Sequence, residues 1–158
     1  MNTKLSFPQM QVVRYCADEC RRQQSGEMSV FWMLQAYQQI LVLHHLHHQA
    51  KRTNLTVEDV QLLLSLVEPV KNKGGFRQTN VTVCGKVIPW QNIPRQIHNL
   101  LGSQFELTPT EFYKEFEEIH PGADGNGRVG SLLFNFFSDT ILAPVVPPDV
   151  FAVTARTT

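Results

Sequence analysis

The sequence has no net charge, few cysteines and no long apolar run, and each scarcity removes a class of function. Fourteen Lys and Arg balance fourteen Asp and Glu, so the chain lacks the basic excess with which nucleic-acid binders gather phosphate. Bulk nucleic acid is therefore not expected as a partner. No apolar stretch is long enough to span a bilayer, and the N-terminus lacks a charged start followed by an apolar run. The expectation is a cytoplasmic protein without a membrane partner. Three cysteines, an odd number without metal-site spacing, argue for reduced thiols and against a disulfide framework. Cys16 and Cys20 share one side of a helical pattern and are read as core packing.

β-like pattern is scarce as well. Ser6 and Pro8 open a first helical pattern with Val12, Val13, Cys16 and Cys20 on its apolar face, ending near Ser25-Gly26. From Ser29 to about Ala50 a second pattern is apolar nearly all round, as expected of a buried core helix. Thr56 and Asp59 resemble a capping pair ahead of Val60, Leu63, Leu64 and Val67, with Pro69 at the far end. The one alternating segment is Val81, Val83 and Val87 around Cys84-Gly85-Lys86, a hairpin signal within about residues 75–89. Ile93-Pro94 opens a short helix closed by Gly102, and Thr108-Pro109-Thr110-Glu111 is a capping box with Pro at the first helical position. Leu132, Leu133, Phe136, Phe137 and Ile141 mark a strongly apolar last helix, followed by a Pro-rich tail at 144–158. The class expected is all-α with one short β-hairpin, in a single domain over residues 1–158.

Histidine is concentrated at His44, His45, His47 and His48. Histidines three and four apart share a helix face and suit Zn²⁺, but no Cys, Asp or Glu lies close in sequence to complete a site. The cluster is read as a helix end with solvent-tipped rings, and His98 as structural.

The chemistry gathers at 119–131, where Ile119-His120-Pro121-Gly122-Ala123-Asp124-Gly125-Asn126-Gly127-Arg128 joins two helical patterns. Gly125 and Gly127 let backbone N–H groups approach an anion at a helix start, where the dipole also favours negative charge. Asp124 offers the hard oxygen that Mg²⁺ takes beside substrate phosphates, Arg128 is a fixed planar cation, and His120 exchanges protons near neutral pH. These residues describe nucleotide chemistry: His120 as general base, Asp124 on the metal, and Gly125, Asn126, Gly127 and Arg128 on the phosphates.

His-Pro-x-x-Asp-Gly-Asn-Gly-Arg also resembles the signature of the Fic family of nucleotidyl transferases, with seven identities in nine positions. The resemblance implies a helical Fic fold and transfer of a nucleoside monophosphate from ATP or another nucleoside triphosphate, with Mg²⁺. The acceptor would be a Ser, Thr or Tyr hydroxyl of a target protein, in a toxin or effector role, with a separate antitoxin-like inhibitor because the family's inhibitory string is absent. It makes the hairpin a flap that pairs with the target, with Phe76, Arg77, Val81 and Val83 as target-binding residues. Two positions depart from the pattern: Gly122 stands where the family has Phe, and Ser131 where it has a second Arg. Ser131 implies a weak hold on a γ-phosphate, Gly122 a less preorganised loop, and both imply low turnover. The alternatives are a Doc-like kinase, against which Gly127 argues because that variant carries Lys there, a donor with only two phosphates, and a binding module without activity.

Overall fold

An apolar segment with scarcely a charged residue has no face to offer water, and α6 (Asn126–Phe137) is buried at every position from Arg128 to Phe136. The other elements of the computed structural model, which describes residues 7–49 and 54–151, are arranged around it. α5 (Pro109–Ile119) packs along α6, and α4 (Ile93–Gly102) packs on α5. α2 (Met28–His48) and α3 (Val57–Val67) touch each other and both touch α6, while α1 (Phe7–Arg22) lies on α2. Met33, Ile40, Leu63, Leu64, Ile97, Phe112, Phe116, Leu132 and Leu133 meet in one apolar cluster. Gly130 permits the close α5–α6 approach: a Cβ there would stand 2.3 Å from Oε1 of Glu117 and 2.9 Å from the Tyr113 ring.

Both capping boxes form, Thr56 with Asp59 and Thr108 with Glu111. β1 (Val81–Val83) and β2 (Lys86–Ile88) are the strands among the described residues, paired antiparallel with Val83 opposite Lys86. Cys84 (φ 49°) and Gly85 (φ 77°) make the turn in left-handed backbone, which matches the twist of a two-residue hairpin. The fold is mostly helical with a single hairpin, as the sequence leads one to expect. After α6 the chain turns back: buried Asn135 donates to the Val145 carbonyl (3.0 Å) and accepts from its N–H (2.8 Å), and the Tyr37 hydroxyl donates to the Ile141 carbonyl. No described helix is long and apolar enough to cross a membrane.

Three expectations need correction. α6 ends at Phe137, so Ile141 is buried on the turn beyond the helix instead of on it. Val13 of α1 is exposed, and the inward face is built from Tyr15, Cys16, Glu19 and Cys20. α2 is not buried all round: Met28, Phe31 and Val42 face outward, because no described element covers that side. Cys16 and Cys20 are buried free thiols, and Cys20 lies 3.8 Å from the Met33 sulfur.

Candidate active site

α5 ends at His120, whose left-handed backbone (φ 52°, ψ 61°) turns the chain away from the helix axis. Six residues later α6 begins behind Gly125, also left-handed at φ 76°. Between the two ends the loop is tied rather than slack. The Asn126 side chain accepts from the Gly122 N–H (2.7 Å) and donates to the Gly122 carbonyl (2.9 Å). Asn72, on the turn after α3, accepts from the N–H groups of Ala123 (2.9 Å) and Asp124 (3.3 Å) and donates to the Asp124 carbonyl (2.8 Å). Gly122 does not loosen this loop. A Cβ at that position would stand 2.7 Å from the Leu64 side chain, so the apolar group that the motif position lacks is supplied from α3.

Arg77 fixes the loop from the hairpin side. Its backbone N–H donates to the Pro121 carbonyl (2.9 Å). Its guanidinium donates to the carbonyls of His120 (2.6 Å), Ile119 (3.2 Å), Thr79 (2.6 Å) and Ile88 (3.1 Å). With 3% of its surface exposed, it is a clamp between hairpin and loop, not the target contact that the sequence suggests. Phe76 is half-buried and packs on the core, while Val81 and Val83 are half-buried on β1.

His120, Asp124, Gly125, Asn126, Gly127 and Arg128 line one cavity of about 150 Å³, closed on one side by Gln23 and Ser25. Burial, and then the Arg77 cation, hold the His120 imidazole below its usual pKa, against the opposing pull of the Glu117 carbonyl and the Asp124 carboxylate. That carbonyl lies outside hydrogen-bond geometry, and Nδ1 is buried with no partner among the described residues. Burial alone would raise the Asp124 pKa. The Lys71 ammonium at 2.6 Å, the Gly125 N–H at 2.7 Å and the more distant Arg128 together hold it below the usual carboxylate range.

The first N–H groups of α6 have no helical carbonyl to bond, and they open on this cavity with the positive end of the helix dipole. Arg128 is 3% exposed; its Nη1 donates to the Val67 carbonyl (2.8 Å), and its Nε is buried without a partner. A buried, unpaired cationic donor beside free helix N–H groups suits a phosphate oxygen. Gly127 lies under the Gln23 side chain: a Cβ would stand 2.5 Å from its amide oxygen, so a larger residue would have to push that side chain aside.

The deciding observation is how far the likeness extends beyond the loop. The model of the Fic/DOC family matches residues 35–138, from mid-α2 to the end of α6. The chain belongs to the Fic/DOC family. A comparison with curated proteins finds no match. Membership supports a Fic-type transferase, with the signature loop carried on the helices that the family match covers.

Ser131 of this Fic domain is fully buried and donates to Oε2 of Glu19 at 2.8 Å. Glu19 also accepts from Arg22 through both oxygens (3.0 and 2.7 Å) and from Gln23 (2.9 Å). The motif position that lacks Arg is therefore packed under α1, outside the span matched by the family model. Asn72, Lys71, Glu19 and Gln23 are the site residues that sequence reading missed. A lone Asn on a Gly-rich turn and an i,i+3 acid–base pair on a helix carry no signal of what lies across from them.

Proposed function

We propose that this Fic domain is a protein nucleotidyltransferase that moves a nucleoside monophosphate from a nucleoside triphosphate, ATP in the first instance, to a Ser, Thr or Tyr hydroxyl of a target protein. The observation that carries the reading is His120: a half-buried imidazole whose surroundings disfavour its cation, on the wall of a cavity that also holds a carboxylate and a helix N-terminus. His120 takes the hydroxyl proton as the oxygen attacks the α-phosphorus. The bond from that phosphorus to the bridging oxygen breaks, and pyrophosphate leaves. The N–H groups at the start of α6 and the unpaired Nε of Arg128 receive phosphate oxygens and stabilise the charge that moves onto them.

Asp124 fits a divalent cation. Its carboxylate is ionised, part-exposed and already paired with an exposed cation, Lys71, whose place an ion could take. Mg²⁺ there would neutralise phosphate charge and orient the donor.

Incubating the chain with labelled nucleotides and a cell lysate, then locating the modified residue by mass spectrometry, tests the reading. Transfer is expected to need Mg²⁺ and Asp124, and to fall by about 10²–10⁴-fold in His120→Ala with the fold intact. Equal transfer by the parent and His120→Ala would sink the proposed base. A second reading, a donor with two phosphates, is favoured by Ser131, which is buried against Glu19 and offers no cation to a γ-phosphate. Label appearing from a diphosphate donor and not from ATP would select it. The Doc-like alternative needs a Lys at 127, where this chain has Gly beneath the Gln23 side chain.

A further inference from the structure

The histidine-rich end of α2 has no part in the chemistry above, yet the fold gives it the acidic partner that the local sequence lacks. His44 and His48 lie one helical turn apart, and the chain leaving α6 brings Asp139 over them. Nε2 of His44 is 2.7 Å from Oδ1 of Asp139, and Nε2 of His48 is 3.2 Å from the same oxygen. The two Nε2 atoms are 3.0 Å apart. Asp139 holds a left-handed backbone (φ 57°) to do this, fixed by its own N–H on the Phe136 carbonyl (3.3 Å) and by the next N–H, of Thr140, on the Asn135 carbonyl (3.0 Å).

Hydrogen bonds alone serve this triangle poorly. If both Nε2 atoms carry protons to serve the carboxylate, the two N–H groups face each other at contact distance. If one does not, its lone pair is turned toward an anion. A cation at the centre satisfies all three atoms. Tetrahedral ligands at about 2.0–2.1 Å from Zn²⁺ stand about 3.3 Å from one another, so the observed triangle is that geometry slightly contracted. We propose that His44, His48 and Asp139 form a site for a divalent transition-metal ion of the Zn²⁺ class, with the fourth position open to water.

The donor set supports that class: two imidazoles and one carboxylate suit Zn²⁺ and its neighbours, whereas Mg²⁺ and Ca²⁺ favour oxygen alone. His44 is set edge-on against Phe136 with ring centroids 6.0 Å apart, which restrains its ring. His47, stacked on Phe105, stays outside the triangle. The adjoining cavity, about 330 Å³ between these rings and Phe137, leaves room for water on the ion. α6 separates this cluster from the His120 cavity by its own length, about 18 Å for twelve residues. The ion would therefore tie the end of α2 to the end of α6 and take no part in transfer.

The full chain, freed of metal by chelator dialysis, is titrated with Zn²⁺ by calorimetry and with Co²⁺ by visible absorption. One equivalent of either ion is expected per chain, with a Co²⁺ spectrum of four-coordinate intensity. His48→Gln and Asp139→Asn change exposed side chains and should weaken binding by about 100-fold or more, since they remove a ligand itself. His47→Gln, and Cys84→Ser at the exposed thiol, should leave it unchanged. Far-ultraviolet circular dichroism checks that each variant is folded. The site is disproved if the parent takes up no ion at micromolar concentration, or if folded His48→Gln or Asp139→Asn binds as the parent does.

Discussion

His120 and Glu117 lie three residues apart on one helix end, and burial acts on their protons in opposite ways. For His120, burial and Arg77 disfavour the cation, so the neutral base persists to lower pH than an ordinary imidazole with a pKa of about 6.5. The acid limb of the pH–rate profile for transfer should accordingly lie below that value. A limb at or above it would remove His120 from the role of base. For Glu117, burial raises the pKa from 4.5 to about 7, opposed only in part by Arg22. The folded chain thus keeps a proton that the unfolded chain releases. Stability is greatest below the unfolded value and declines as pH rises toward about 7, by on the order of 3 kcal/mol at most. Glu117→Gln should flatten that decline and melt higher than the parent at pH 8. Equal melting temperatures there would show that Glu117 ionises without strain.

At the scale of elements, the hairpin register changes which residues can meet a target. In a two-residue hairpin the pair flanking the turn exchanges hydrogen bonds, so Val83 with Lys86 and Val81 with Ile88 bond across the ladder. Thr82 and Val87 turn their N–H and C=O groups outward. Proline at Val81 or Val83 would break the hairpin itself, and the informative change is Thr82→Pro. It removes an outward N–H on an edge strand, where Pro is tolerated. Modification of a protein target should fall several-fold while nucleotide affinity is kept, as measured by kinetics and calorimetry in parallel. Equal loss of both would mean that the hairpin acts only through its Arg77 clamp on the loop. α1 offers a second case, since Glu19 joins it to α6 through Ser131 and organises Arg22 and Gln23. Glu19→Ala should cost about 2 kcal/mol, given that Arg22 regains water while Ser131 does not. Thermal denaturation should show a fall in Tm of roughly 5 °C.

For the molecule as a whole, α6 couples every site described. Its N-terminus opens on the His120 cavity, its middle carries Ser131 toward α1, and the chain beyond its end delivers Asp139 to α2. A helix buried on all sides has little freedom to shift, because its neighbours interdigitate with it at close to crystalline density. The loop is preorganised for that reason. Leu64 fills the space beside Gly122, Val67 and Asn72 bind Arg128 and the loop backbone, and all three belong to α3 or the turn after it.

Local rules were enough for the helices and the loop. Two capping boxes, a Cys84-Gly85 turn, an apolar last helix and seven motif identities are properties of neighbours in sequence, and each could be read there. Sequence alone thus determined the class of fold, the family and the motif residues that line the cavity, but not Gln23 and Ser25, which close it from the end of α1. Tertiary structure decided the rest. Arg77 reads as a target-binding residue of the flap until four backbone carbonyls converge on it, and Gly122 reads as slack until Leu64 is seen in the gap. The His44–His48 pair reads as a solvated helix end until Asp139 arrives from 91 residues away. In each case the deciding partner is distant in sequence, and a pattern of neighbours carries no information about which distant group packing will bring within about 3 Å.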